Sequence, residues 1–290
     1  MSTTVRAHPY RARQRISGRQ QWRLTELLSE DRWTQTFAAQ PERNDQGSDF
    51  VVKLARQDLV TDYDRQLAHG LLLREGMISR LVRHRHLAAT LEVHRQESGI
   101  WLVQPRLAGS LPSTVHDLPL SQKLWILRQI SEALAALHAA GWLHGNVSAA
   151  AILVASSGQA TLGNLGWCRQ LGTDECDLAR TAFIGELRSA APEMLDDAGL
   201  LTPAADVYSL GVLLVELLTG RPPLAQYDGP ELVAAKRLLS VSSISSIESM
   251  NLPFEVRSLA ARILSRDALR RPTVAEVIQA LVAAEIGSFG

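Results

Sequence analysis

From about residue 22 the apolar and polar positions fall into short runs. WRLTELL, WTQTFAAQ and the apolar FVVKLA, the last two separated by the turn-rich ERNDQGSD, predict an antiparallel meander of strands. Over residues 65–82 the period changes, and Leu67, Leu71, Leu72, Glu75, Ile78 and Leu81 place an apolar face with one inward acid on a helix. Two further strands are predicted near Leu87 to His94 and Ile100 to Pro105, and the loop RLAGSLPST closes this sheet-rich half, residues 22–104. Residues 105–290 read as mostly helical. Leu124, Leu127, Ile130, Leu134 and Leu137 recur every three or four positions up to a stop at Gly141. Val207 to Leu218 is apolar nearly all round and ends in Thr219, Gly220, Arg221 and Pro222, the pattern of a helix buried on every side. Thr273 and Glu276 form a capping box ahead of Val277, Ile278, Leu281 and Val282, and Ser240 to Ser249 is a serine-rich connection.

Composition narrows the class. The 290 residues carry 30 basic and 30 acidic side chains, with 46% hydrophobic and 5% aromatic residues, which excludes a disordered, collagen-like or disulfide-scaffolded chain. Cys168 and Cys176 are too few and too far apart for a zinc ribbon or a CxxC redox pair, and they read as buried or incidental thiols of a reducing compartment. No apolar run reaches the roughly 18 residues of a membrane span. The first residues lack an apolar signal-peptide core, so a cytoplasmic location is the expectation. Six arginines and no acid over residues 1–25 suggest a basic, disordered tail through residue 21. Without interleaved aromatics it reads as a solvated segment, with nucleic acid or acidic lipid as the lesser alternative.

The order of the pieces carries more. VVKLA at 51–55, REGMISRLVRHRH at 74–86, LHGNVSAAAIL at 143–153, LGNLG at 162–166, APEML at 191–195, DVYSLGVLLVELLTGRPP at 206–223 and RDALRRPT at 266–273 together resemble a protein kinase over about residues 22–285. The resemblance implies a two-lobed α+β fold, a small antiparallel sheet lobe with one helix beside a larger, mainly helical lobe. It places Lys53 and Glu75 at the pair that holds nucleotide phosphates, although an ion pair tying helix to sheet would use the same residues. Of the 30 basic residues only Lys53, Lys123 and Lys236 are lysines, so a lysine marks a position where a compact ammonium differs from a guanidinium. The resemblance further puts adenine against Val51 and the strand Gln104 to Leu107, with the Leu107 amide as donor. Glu193 with Arg271, and Asp206 beneath the catalytic loop, match the family's supporting frame.

The reactive positions depart from the family. Its His-Arg-Asp reads His144, Gly145, Asn146, so an amide with no useful basicity replaces the general base. Ser148 replaces the lysine that follows, and Ala151 replaces the asparagine that holds a second magnesium. Asn164 replaces the aspartate of Asp-Phe-Gly and lacks the anionic charge that makes magnesium shed water. Ser29, Asp31 and Thr34 stand at the three glycine positions of the phosphate-covering loop, where Glu30 and Asp31 would repel phosphate. Val51 narrows the adenine position, Gly145 removes the arginine that would receive a phosphate on Thr173 or Thr181, and Glu186 stands where a substrate-loop threonine is usual. The histidines of RHRHLA fall on a loop where the family uses histidine structurally, and Asn164 is the only weak metal candidate. The expectation is a pseudokinase: a protein-binding or allosteric signalling module, with ATP as its candidate nucleotide, magnesium held poorly, no intact catalytic residue and nucleic acid not a partner. The alternative is an atypical serine/threonine kinase that still binds ATP and retains weak phosphotransfer.

Overall fold

The computed structural model describes residues 10–42, 49–96, 99–107, 109, 115–172, 186–195, 202–238 and 251–287. The chain divides into two compact units, Met1–Arg83 with Ala88–Leu107, and His84–Leu87 with Ala108–Gly290. The first unit holds β1 (Arg15–Ser17), β2 (Gln21–Glu30), β3 (Thr34–Pro41), β4 (Phe50–Ala55), helix α1 (Asp62–Leu81), β5 (Glu92–Gln96) and β6 (Gly99–Pro105). The strands form one antiparallel sheet in the order β1-β2-β3-β4-β6-β5.

Alternation gives this sheet two different faces. Val52 and Leu54 of β4 lie with Trp22, Leu24, Phe37, Ala39, Trp101 and Val103 in one apolar cluster. Val51 and Lys53 point the other way, paired across the ladder with Ala38 and Thr36 on β3 and with Gln104 and Leu102 on β6. Helix α1 begins at Thr61, whose hydroxyl accepts the Asp64 amide at 2.9 Å, and carries Asp62 and Asp64 in its first turn and Arg80 in its last. It lies against the sheet at Gly76, where an added Cβ would come within 2.4 Å of the Val93 side chain. Only glycine allows that approach.

The structure departs from the sequence expectation at two places. From residue 10 onward the segment expected to be a free basic tail through residue 21 joins the sheet: β1 pairs with β2, and Tyr10 and Ile16 are buried in the apolar cluster. The Arg13 amide donates to the Leu24 carbonyl and the Leu24 amide donates to Gln14, so the strap is held by backbone as well as by side chains. Residues 1–9 lie outside the described residues. The strand expected from Leu87 begins only at Glu92; Leu87 instead makes a lone parallel bridge to Leu162 within the second unit.

The second unit contains α2 (Leu120–Ala139), β7 (Trp142–Leu143), β8 (Ile152–Val154), β9 (Ala160–Leu162), β10 (Arg169–Gln170), α3 (Pro203–Thr219), α4 (Gly229–Leu238), α5 (Phe254–Ile263) and α6 (Val274–Gly287). Helix α3 is buried from Ala205 to Val215 without a break, and Gly220 stops it in the left-handed region at φ 73°. Gly211 lets α5 approach, since a Cβ there would sit 2.4 Å from Ile263. The capping box forms as predicted: the Thr273 amide and hydroxyl both donate to Glu276, whose own amide donates back to the hydroxyl. The serine-rich connection at 240–249, Cys176, Thr173 and Thr181 lie outside the described residues. Cys168 is buried and forms no disulfide among the described residues. Among the described residues no helix is long and apolar enough to cross a membrane.

Candidate functional site

In the first unit the adjacency of β4 and α1 makes the expected ion pair. Lys53 Nζ lies 2.8 Å from Glu75 Oε2, and the two side chains are only 12% and 3% exposed. Gln104 donates to the other carboxylate oxygen of Glu75 at 3.0 Å and to the Thr90 hydroxyl at 3.2 Å, so both Glu75 oxygens are bonded. A buried pair of this kind is costly to break, because removing one partner strands the other charge. Val51 is half-buried on the Lys53 face opposite Ala38, and Leu107 is half-buried two residues beyond the end of β6.

The β2–β3 turn, expected to stand where the family covers phosphate, is closed by its own side chains. Asp31 Oδ1 accepts the amides of Trp33 (2.7 Å) and Thr34 (2.6 Å), and Oδ2 accepts the Thr34 hydroxyl at 2.8 Å. The two amides nearest the turn are therefore bound to a carboxylate of their own chain, where a cradle would direct such groups at an anion. The turn is also fastened to α1. Arg32 pairs with Asp64 at 3.2 Å, and the indole of the buried Trp33 donates to the same oxygen at 3.4 Å. Bonds from the Thr61 hydroxyl, and then from Trp33 and Arg32, hold the Asp64 carboxyl below the usual range. On the other side Arg56 binds Glu30 at 2.7 Å and donates to the Asp31 carbonyl at 3.1 Å. The two acids Glu30 and Asp31 were visible in the sequence; the capture of the amides by Asp31 was not.

In the second unit the loop after β7 is built on Asp206 of α3. The amides of His144 and Gly145 donate to its two oxygens at 2.8 Å each, and His138 Nε2 donates at 2.9 Å. Burial works to raise the Asp206 carboxyl, but the bond to His138 and its charge, with the Gly145 amide, outweigh it and hold the group below its ordinary value. His144 is fully buried; its Nε2 donates to the Gly163 carbonyl at 2.8 Å, which leaves Nδ1 to accept the Asn146 amide at 3.3 Å. Gly145 has φ 73°, and a Cβ there would lie 3.0 Å from the Trp167 carbonyl oxygen.

Asn146 uses its carboxamide structurally: Oδ1 accepts the Glu186 amide at 3.0 Å. Ser148 and Ala151 are buried, Ser148 preceding the short helical turn that Ala151 ends. Asn164 adopts the left-handed conformation (φ 56°, ψ 36°), which asparagine tolerates better than most residues, and its carbonyl accepts the Trp167 amide. Tested as magnesium ligands, these residues do not fit. Ala151 offers no donor atom, Asn164 is neutral, and no group of three or more histidine, cysteine or acidic side chains among the described residues is placed to hold a metal. Burial, and then the charge of Glu186 at the position expected to be the substrate loop, push the Glu216 carboxyl up.

Beneath that position lies a group the sequence marked only by its rarity. Lys236 of α4 is buried, donates to the carbonyls of Arg188 and Ala190 at 2.8 Å each, and lies 5.2 Å from the Tyr208 ring. Burial, helped by the charge of Arg188, lowers its pKa to about 7. On the opposite course, Arg271 forms a double hydrogen bond to Glu193 at 2.5 and 2.9 Å and lies 4.9 Å from Tyr208. Arg188 itself pairs with Asp228.

The family model of the protein kinase domain matches residues 39–282. The match begins within β3, after the β2–β3 turn. The chain is similar to the serine/threonine-protein kinase PAK mbt of Drosophila melanogaster, 26% identical over 220 residues, 75% of this chain and 34% of that protein. It is 31% identical over 222 residues to the serine/threonine-protein kinase PknK of Mycobacterium bovis, covering 75% of this chain and 20% of PknK. To the serine/threonine-protein kinase PAK 4 of Mus musculus it is 26% identical over 231 residues, 75% of this chain and 36% of that protein. It thus spans at most 36% of the length of these three relatives.

Proposed function

We propose that this chain, which belongs to the protein kinase family, is a pseudokinase: a kinase-fold module that binds a protein partner and exerts its effect by contact, with little or no phosphotransfer. The observation that carries the reading is Asn146. At the position where the family keeps its catalytic carboxylate stands a neutral carboxamide whose oxygen already accepts the Glu186 amide. Loss of a general base alone costs about 10²- to 10⁴-fold, from a family rate of about 1 to 100 per second. The Asp31-bound amides of the β2–β3 turn and the missing magnesium ligands support the same reading. Losses of this kind are not additive. The supporting frame of Asp206, His144, Glu193 and Arg271 is intact, as a binding module requires.

One observation favours a second reading. The Lys53–Glu75 pair is formed at 2.8 Å, and a chain otherwise built with arginine keeps lysine there. On that reading Lys53 would bind ATP phosphates, Val51 and Leu107 would border the adenine, and weak phosphotransfer to protein hydroxyls would survive. Thermal-shift titration with ATP, with and without Mg²⁺, on the wild-type protein and Lys53→Ala separates the two. Ligand at about 100 times its Kd adds roughly 2.7 kcal/mol. The pseudokinase reading expects no Mg²⁺-dependent stabilisation; a Mg²⁺-dependent shift lost in Lys53→Ala would favour the enzyme.

A further inference from the structure

Helix α1 has two differently made faces. Leu67, Leu71, Leu72, Glu75 and Ile78 are buried. On the far side Leu73, Met77 and Leu81 remain 38%, 48% and 59% exposed, and with Gly70 they follow a spacing of three, four and four, the seam of a helix that packs against another helix. Gly70 sharpens the point. A glycine inside a helix costs about 1 kcal/mol relative to alanine. A Cβ at Gly70 would meet nothing within 4 Å, and its φ is not positive, so the fold of this chain gives no reason for it. What the missing side chain leaves is room for an approaching surface from outside.

We propose that α1 packs antiparallel against α1 of a second copy of this chain, about a two-fold axis passing between Gly70 and Leu73. Such a contact is isologous, so each residue meets its counterpart twice. Leu73 of the partner subunit fills the notch over Gly70, and Met77 of the partner subunit lies against Gln66. The charges favour a second copy over an unrelated protein. Asp62 begins the helix and Arg80 ends it, both exposed and both on the same flank of the seam. The antiparallel arrangement sets each Asp62 beside Arg80 of the partner subunit, whereas a parallel one would oppose like charges. Asp62 now pairs with Arg65 at 2.6 Å in solvent, an interaction worth little and easily exchanged. Glu75 points away from the seam, so the contact stands whether or not nucleotide binds.

The test is sedimentation velocity of the full chain across micromolar to sub-millimolar concentration, with four variants checked by circular dichroism for unchanged melting. The wild type is expected to pass from monomer to dimer. Leu73→Glu should remain monomeric. Asp62→Arg and Arg80→Asp should each raise the dissociation constant about tenfold or more, the penalty of like charges set opposite one another, and the double variant should recover dimerisation. A wild type that stays monomeric throughout overturns the proposal and leaves the seam to a partner of another sequence. A dimer indifferent to Leu73→Glu, or a charge swap that fails to rescue, overturns it as well.

Discussion

The strap formed by residues 10–17 was expected to be solvated tail, so Ile16→Ala is a sharp perturbation. Ile16 belongs to the cluster that includes Trp22, Trp101 and Phe37, and its strand pairs with β2 through Trp22. Truncating a buried isoleucine to alanine costs about 2 to 5 kcal/mol, from lost transfer energy plus the cavity left behind. Ile16 sits near the rim of its cluster, 9% exposed, so neighbours can partly collapse and the lower half of that range applies: about 2 to 3 kcal/mol. Against a typical total of about 5 to 15 kcal/mol that is a large fraction. Urea unfolding followed by tryptophan fluorescence reads it directly, because Trp22 and Trp101 share the cluster. A midpoint lowered with an unchanged slope is expected. A midpoint matching wild type would refute the strap as a structural element and return residues 10–17 to the status of a tail.

Three further outcomes follow from the site. Asp31→Ala should destabilise by about 1 to 2 kcal/mol by urea unfolding, since it releases two amides and a hydroxyl that one carboxylate now holds. Lys236 titrates near 7 when folded and near its ordinary value when unfolded, so between those values the unfolded chain binds more protons and stability rises with pH, by at most about 1.4 kcal/mol per unit; below 7 the full cost of the buried ammonium is present. Melting midpoints of wild type should therefore climb relative to Lys236→Met from pH 7 to 9.5, and parallel curves would contradict the buried-lysine account. Gly145→Arg should lower stability by about 1 kcal/mol or more in a melt, because its φ of 73° and the Trp167 carbonyl 3.0 Å from a Cβ both oppose a side chain.

What the sequence made legible followed from periodicity and from spacing. The leucines from 124 to 137 gave α2, the all-apolar run gave the interior helix α3, and Thr273 with Glu276 gave the cap of α6, each a local signal that tertiary contacts reinforced. Asn146, Ala151 and Asn164 were singled out by distance from motifs on either side, but the sequence did not show that Asn146 accepts the Glu186 amide or that Asn164 is left-handed. The strap was not: Arg11, Arg13, Arg15 and Arg19 outvote Tyr10 and Ile16 in any compositional reading, and only pairing with β2 shows which residues are inward. Neither was the work of Lys236, whose two carbonyl partners lie 46 and 48 residues away. Its one sequence signal was being a lysine in an arginine-rich chain. Asp31 could be read as a repellent charge, but its grip on Trp33 and Thr34 depends on the turn geometry between two strands.

The most direct test of the central claim is incorporation of phosphate from γ-labelled ATP, with Mg²⁺ and with Mn²⁺, into the full chain itself and into a general protein substrate, with Lys53→Ala measured beside it. The account predicts that wild type incorporates no more label than Lys53→Ala under either metal. Incorporation by wild type that Lys53→Ala abolishes would contradict it and make this chain an enzyme.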